Sequence, residues 1–88
     1  MATETEDFFP LLREAISEAR AAGLAPLANS LESRSFAIYA TSSELLGETG
    51  QAIVAFLRAG GTQVPQSIAA KLQLCLAQVQ RIWPGIRL

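Results

Sequence analysis

The chain has 88 residues, enough for one domain, and half of them are hydrophobic whereas only 17% are charged. The net charge is −1, so overall charge gives no reason to expect nucleic acid or an anionic membrane as a partner. One cysteine and no histidine exclude an intramolecular disulfide and thiolate–imidazole sites, so we predict no catalytic residue, no cofactor and no metal site.

The N-terminal residues are acidic and lack the basic and apolar regions of a signal peptide. We expect a flexible acidic N-terminus at 1–7, a single helical-bundle domain at 8–84 and a short tail at 85–88. The longest apolar run, at 52–57, is far shorter than the ~20 residues of a membrane span. These features favour a soluble, cytoplasmic protein without a membrane segment.

The first helix is predicted at about residues 8–22. Asp7 is a good N-cap, and Pro10 then falls in the first turn, where no N–H is needed. Gly23 supplies the left-handed residue that ends the helix, and Leu24 is placed to fold back on the last turn. Apolar residues recur every three or four positions on one face: Phe8, Leu12, Ala15, Ile16, Ala19 and Ala22.

The next segment admits two interpretations. Leu24, Leu27 and Leu31 have helical spacing, and Pro26 could open a short helix at about 25–32. Alternatively, Asn29 and the glutamate three residues later could cap a helix that starts further along the chain.

The most regular helix is predicted at about 34–59. Its seam alternates spacings of three and four, the a/d pattern of a heptad repeat: Phe36, Tyr39, Ser43, Leu46, Gly50, Ile53 and Leu57. Thr41 and Glu44 match a capping box, which would restart the helix there, but the unbroken seam favours one long helix, bent at most. Gly60 and Gly61 end it.

The last helix is predicted at about 65–83, opened by Pro65 and stopped by Pro84 and Gly85. Its core seam again has a/d spacing, with Leu76 and Trp83 beside it: Ile68, Leu72, Cys75, Val79 and Ile82. The fold class is therefore an all-α, small antiparallel helical bundle of three main helices with a possible short fourth.

Two surfaces are candidate interfaces. Ser43, Gly47 and Gly50 leave a groove on the long helix, which either a ring of the same chain, such as Phe8 or Trp83, or a partner could fill. On the last helix the outer face carries glutamines every seven residues, with an exposed leucine and two alanines beside them: Ala70, Leu74 and Ala77. Trp83 is either an anchor for a partner or a ring that covers the end of the core.

Charge is unevenly distributed along the chain. All eight acids lie at or before Glu48, whereas residues 49–88 contain four bases and no acid. Either the acidic and basic parts pack together, within one chain or across a dimer, or the basic part docks an acidic partner. We expect a non-enzymatic protein–protein interaction module that pairs with itself as a homodimer or with another protein. The alternative is a small DNA-associated or regulatory protein that uses the basic C-terminal helix.

Overall fold

Four α-helices make up most of the chain in a computed structural model that describes residues 4–37 and 41–88. They are α1 (Glu4–Ala21), α2 (Ala25–Ser35), α3 (Ser42–Gly60) and α4 (Gln66–Val79), with a 3₁₀ turn at Gly61–Gln63 after α3. The described residues contain no strand. The prediction of an all-α helical bundle is confirmed. The structure has four α-helices, whereas the sequence predicted three main helices and a possible short fourth.

The four helices form a closed ring around one core. Both α1 and α3 pack against α2 and α4, whereas the diagonal pairs make no close backbone contact within the described ranges. The Cα radius of gyration of 12.0 Å matches that of a folded domain of this length, so the core closes within one chain. The largest fully buried hydrophobic side chains come from all four helices: Phe8, Leu12, Leu31, Ile53, Ile68, Leu72 and Val79.

Helix α1 begins about one turn earlier than predicted. It starts at Glu4, so the predicted N-cap at Asp7 is wrong and Pro10 lies inside the helix. Because Pro10 has no N–H group, the carbonyl of Glu6, four residues earlier, loses its intrahelical hydrogen bond. Residues 1–3 of the predicted flexible N-terminus lie outside the described residues.

The end of α1 follows the predicted glycine motif. Gly23 has φ of 86°, and its N–H donates to the carbonyl of Arg20 at 3.2 Å. The N–H of Leu24 reaches back to the carbonyl of Ala19 at 2.9 Å, which completes a Schellman motif and places Leu24 in the core. Ala22, predicted on the apolar face, is exposed because it lies beyond the last helical residue.

The single long helix predicted at 34–59 is wrong, because two helices occupy this region. The possible short helix at 25–32 is α2, which runs on to Ser35, and Asn29 lies inside it rather than at a cap. Thr41 is extended, and its hydroxyl accepts the N–H of Glu44 at 3.1 Å, so the capping box does restart the chain as α3. The predicted seam residue Tyr39 lies outside the described residues.

Two glycines end α3 for different reasons. Gly61 has φ of 52°, a conformation that favours glycine. Gly60 is buried, and a Cβ there would lie 2.3 Å from Cγ2 of Val64. The predicted end of the helix is therefore confirmed, and it allows the chain to turn tightly towards α4.

Helix α4 is shorter than the predicted 65–83. Pro65 is its N-cap rather than its first residue, and the helix ends at Val79. After Val79 the chain continues in turns, in which the N–H groups of Ile82 and Trp83 both donate to the carbonyl of Val79, and Pro84 then excludes a further helical turn. Ile82 consequently points to solvent, 52% exposed, and its predicted place in the core seam is wrong. No helix among the described residues has the length and hydropathy needed to cross a bilayer.

Candidate interaction surfaces

The C-terminal segment, residues 80–88, fills the predicted small-residue groove of α3. The indole of Trp83 lies over Gly47, where an added Cβ would be 3.3 Å from the ring. Its Nε1–H donates to the backbone carbonyl of Ser43 at 2.8 Å. The ring is still 41% exposed, so Trp83 covers the groove and also presents a surface to solvent.

The next position along the groove is closed more tightly. A Cβ on Gly50 would lie 2.6 Å from Cγ1 of Val79 and 3.1 Å from Cγ2 of Ile86. The side-chain amide of Gln80 donates to the backbone carbonyl of Ile86 at 3.1 Å, which fixes this turn of the segment. Of the two interpretations, the internal one therefore holds: residues of the same chain occupy the groove.

The outer surface of α4, named here the α4 face, carries Ala70, Leu74 and Ala77 among exposed glutamines. All three are exposed, and Leu74 reaches 58%. The only charged residue of α4, Lys71, is part-buried and turns towards α1. The α4 face is therefore uncharged along its whole length.

Lys71 joins the acidic and basic parts of the chain. Its Nζ pairs with Glu14 at 3.4 Å and makes a hydrogen-bonded ion pair with Glu18. The hydroxyl of Ser67 also donates to Glu18, at 3.3 Å. At this contact, the predicted packing of acidic against basic parts occurs within one chain.

Further charges are paired within the first half of the chain and its contact with α3. Arg20 on α1 binds Glu32 on α2 and also donates to the Oδ1 of Asn29. The hydrogen bond from Arg20 lowers the pKa of Glu32 below its usual value. Arg34 pairs with Glu48 at 3.7 Å.

Three other charged side chains lie on α3 or in the C-terminal segment. Glu44, Arg58 and Arg87 have no oppositely charged partner within the described ranges. Two of them lie on a solvent-facing band of α3, named here the α3 strip: Glu44, Glu48, Gln51, Ala55 and Arg58. Our sequence reasoning missed this strip, although the spacing of seven between Glu44, Gln51 and Arg58 was a visible signal.

Shallow hollows flank the α3 strip. One of about 320 Å³ lies between its acidic end and Trp83, and one of about 340 Å³ lies between Arg58 and Arg87. On the opposite side, a hollow of about 210 Å³ separates Ala55 from α2. The strip is thus a ridge with room on both sides.

Cys75 is not available for chemistry at the surface. Its side chain is fully buried, and its Sγ lies 3.7 Å from the carbonyl of Phe8 as a weak donor. Burial raises the pKa of the thiol to about 12. At neutral pH the group therefore stays a thiol, which is a poor nucleophile.

The described residues hold no group of three or more histidine, cysteine, aspartate or glutamate side chains that could bind a metal ion. No protein-family model, curated protein or solved structure matches the chain. The case for function therefore depends on the two surfaces described above.

Proposed function

We propose that this chain is a non-enzymatic protein–protein interaction module that assembles as a homodimer. The observation that carries the interaction module is the uncharged α4 face with Leu74 at its centre, a surface that a second copy or a different protein could cover. A single exposed leucine is ordinary on a folded domain. An entire outer helix face without a charge is more typical of a contact surface, because charged residues are depleted at the centre of interfaces.

The core already closes without a partner, so the α4 face is not needed for folding of one chain. Leu74 is more than half exposed, whereas Leu72 and Leu76 on the same helix are buried. Contact with another protein would remove the Leu74 side chain from water, which is favourable for an apolar group. No charged side chain on this face would lose its hydrogen bonds to water. The face therefore suits docking of a second copy or of a different protein.

The homodimer is tested by the molar mass in solution, measured by size exclusion with light scattering over a wide concentration range. We expect twice the 9.4 kDa of one chain at high concentration, with dissociation on dilution. A mass of one chain at every concentration would contradict the homodimer.

The alternative function is binding of DNA through the basic C-terminal part. One observation favours it: Arg58 and Arg87 line the same hollow, and neither has an oppositely charged partner among the residues that the structure describes. Helix α4 itself offers only Lys71, which is already paired with two glutamates. Binding through so few cations should weaken steeply with salt, and no shift of any duplex at low salt would end this alternative.

A further inference from the structure

The α3 strip carries opposite charges at its two ends. Glu44 lies in the first turn of α3 and Arg58 in its last turn, and both are exposed. Each is seven residues from Gln51, which is exposed as well. Since two heptads displace a position by only about 40° around a helix, the three side chains share one face. The distance along the axis from Glu44 to Arg58 is about 21 Å.

This arrangement is complementary to its own two-fold image. In an isologous interface, if residue i of one copy contacts residue j of the other, then residue j of the first copy contacts residue i of the second. The patch must therefore be complementary to itself after a rotation of 180°. If the axis passes Gln51, Glu44 of each copy lies opposite Arg58 of the other. The two Gln51 amides then meet at the centre, where each can both donate and accept.

We infer that two copies of this chain pair through the α3 strip, with their α3 helices antiparallel and the two-fold axis at Gln51. The inference rests on the homodimer proposed above and assigns it to the α3 strip rather than to the α4 face. The α4 face then stays open to a different protein. Each dimer forms two ion pairs between Glu44 and Arg58.

The charge pattern of the whole molecule supports a second copy as the occupant. Internal ion pairs bind Lys71, Arg20 and Arg34, whereas the charges at the two ends of the strip have no oppositely charged partner in the described part of the chain. A different protein would need a fitting charge pattern of its own, whereas a second copy supplies it by symmetry. Ala55, with its small side chain on the strip, allows the two helices to approach closely.

Charge reversal at either end tests the inference. In Glu44→Arg and in Arg58→Glu, like charges face each other across the axis, and we expect the dimer Kd to rise about tenfold or more. An equimolar mixture of the two variants restores both opposite-charge contacts and should form a heterodimer near the wild-type Kd. The double variant E44R/R58E has the wild-type composition and should also regain self-association.

Two controls separate the interface from the fold. Both reversals oppose the dipole of α3, so helix content and melting are followed by circular dichroism. Glu44→Gln and Arg58→Gln remove charge without reversing it and should weaken the dimer by a smaller factor, about threefold. Leu74→Glu, on the α4 face, separates the two candidate surfaces. Ser17→Glu changes an exposed residue of α1 outside both surfaces, and it should leave the Kd within about twofold.

Each outcome of the dimer measurements leads to a different conclusion. Loss of pairing in the single reversals and recovery in the mixture would support the α3 strip. A wild-type dimer whose Kd is unchanged by all charge variants, or one broken only by Leu74→Glu, would overturn this inference while the homodimer stands. A wild type that is monomeric at every concentration would overturn the homodimer and this inference together. Measurement by sedimentation velocity, with the emission of Trp83 beside the strip as a second readout, provides these outcomes.

Discussion

Replacement of Gly50 by alanine tests how closely α4 and the C-terminal segment pack on α3. The new methyl group would lie 2.6 Å from Cγ1 of Val79 and 3.1 Å from Cγ2 of Ile86, both closer than ordinary contact. Val79 is fully buried, and a β-branched side chain in a helix has one strongly preferred rotamer, so it has little room to give way.

The expected magnitude is a balance of two opposing effects. Alanine is favoured over glycine inside a helix by about 1 kcal/mol. Forcing an extra methyl group into a packed core costs about 1–3 kcal/mol. We therefore expect Gly50→Ala to lower the free energy of unfolding by about 1 kcal/mol, the difference between the centres of these ranges.

Gly47→Ala is the matched control on the same helix. Its Cβ would lie 3.3 Å from the ring of Trp83, which is 41% exposed and can shift by a few tenths of an ångström. The gain in helix propensity should then dominate, and stability should stay equal or rise by up to about 1 kcal/mol.

Urea denaturation followed by circular dichroism gives both free energies, and Trp83, the only tryptophan, reports on the groove by its emission. Gly50→Ala should unfold at lower urea than Gly47→Ala, with an unchanged slope. If Gly50→Ala is as stable as Gly47→Ala or more so, Val79 and Ile86 do not close over Gly50 and the packing argument fails.

Substitutions at three further positions test the interior and a helix end. The buried hydroxyl of Thr49 has no hydrogen-bond partner among the described residues. Thr49→Val removes this hydroxyl and should therefore raise the melting temperature by about 4–8 °C. A melting temperature below that of the wild type would show that the hydroxyl has a partner. Thr41→Ala should cost about 1 kcal/mol in urea denaturation whereas Thr41→Ser should not, because the hydroxyl caps α3; equal losses would contradict the cap. Burial raises the pKa of Cys75 from 9.0 to about 12, so the unfolded chain loses a proton that the folded chain keeps. The contribution of Cys75 to the free energy of unfolding should be fully retained below pH ~9 and decrease above it by up to about 1.4 kcal/mol per pH unit. Cys75→Ala should lack this contribution, so its free energy of unfolding should change less steeply with pH.

Helix ends set by local chemistry were predictable from the sequence. Gly23 and Gly61 adopt positive φ at the two ends predicted for them, because a glycine at this place stops a helix whatever packs around it. The start of α1 was not predictable from the sequence in this way, because Asp7 is a plausible N-cap but a helix can also begin at another residue. A good cap permits a helix start without requiring one there.

The break between α2 and α3 shows where periodicity alone is ambiguous. A bent helix and two separate helices both place Phe36 and Ile53 on one apolar seam. The capping box at Thr41 was the deciding signal, because its hydrogen bond to the N–H of Glu44 forms only if Thr41 leaves the helix. The end of α4 is a second case, because the a/d spacing that includes Ile82 carries no information about the turns that follow Val79.

The interaction surfaces required knowledge of contacts far apart in the chain. Heptad spacing alone places Glu44, Gln51 and Arg58 on one face, which describes any solvated helix. The fold shows which charges are paired. For example, Lys71, the one charged residue of α4, pairs with Glu18, 53 residues away. Within the described ranges, Glu44 and Arg58 have no oppositely charged partner, and they lie at equal sequence distances from Gln51 on the exposed side of α3.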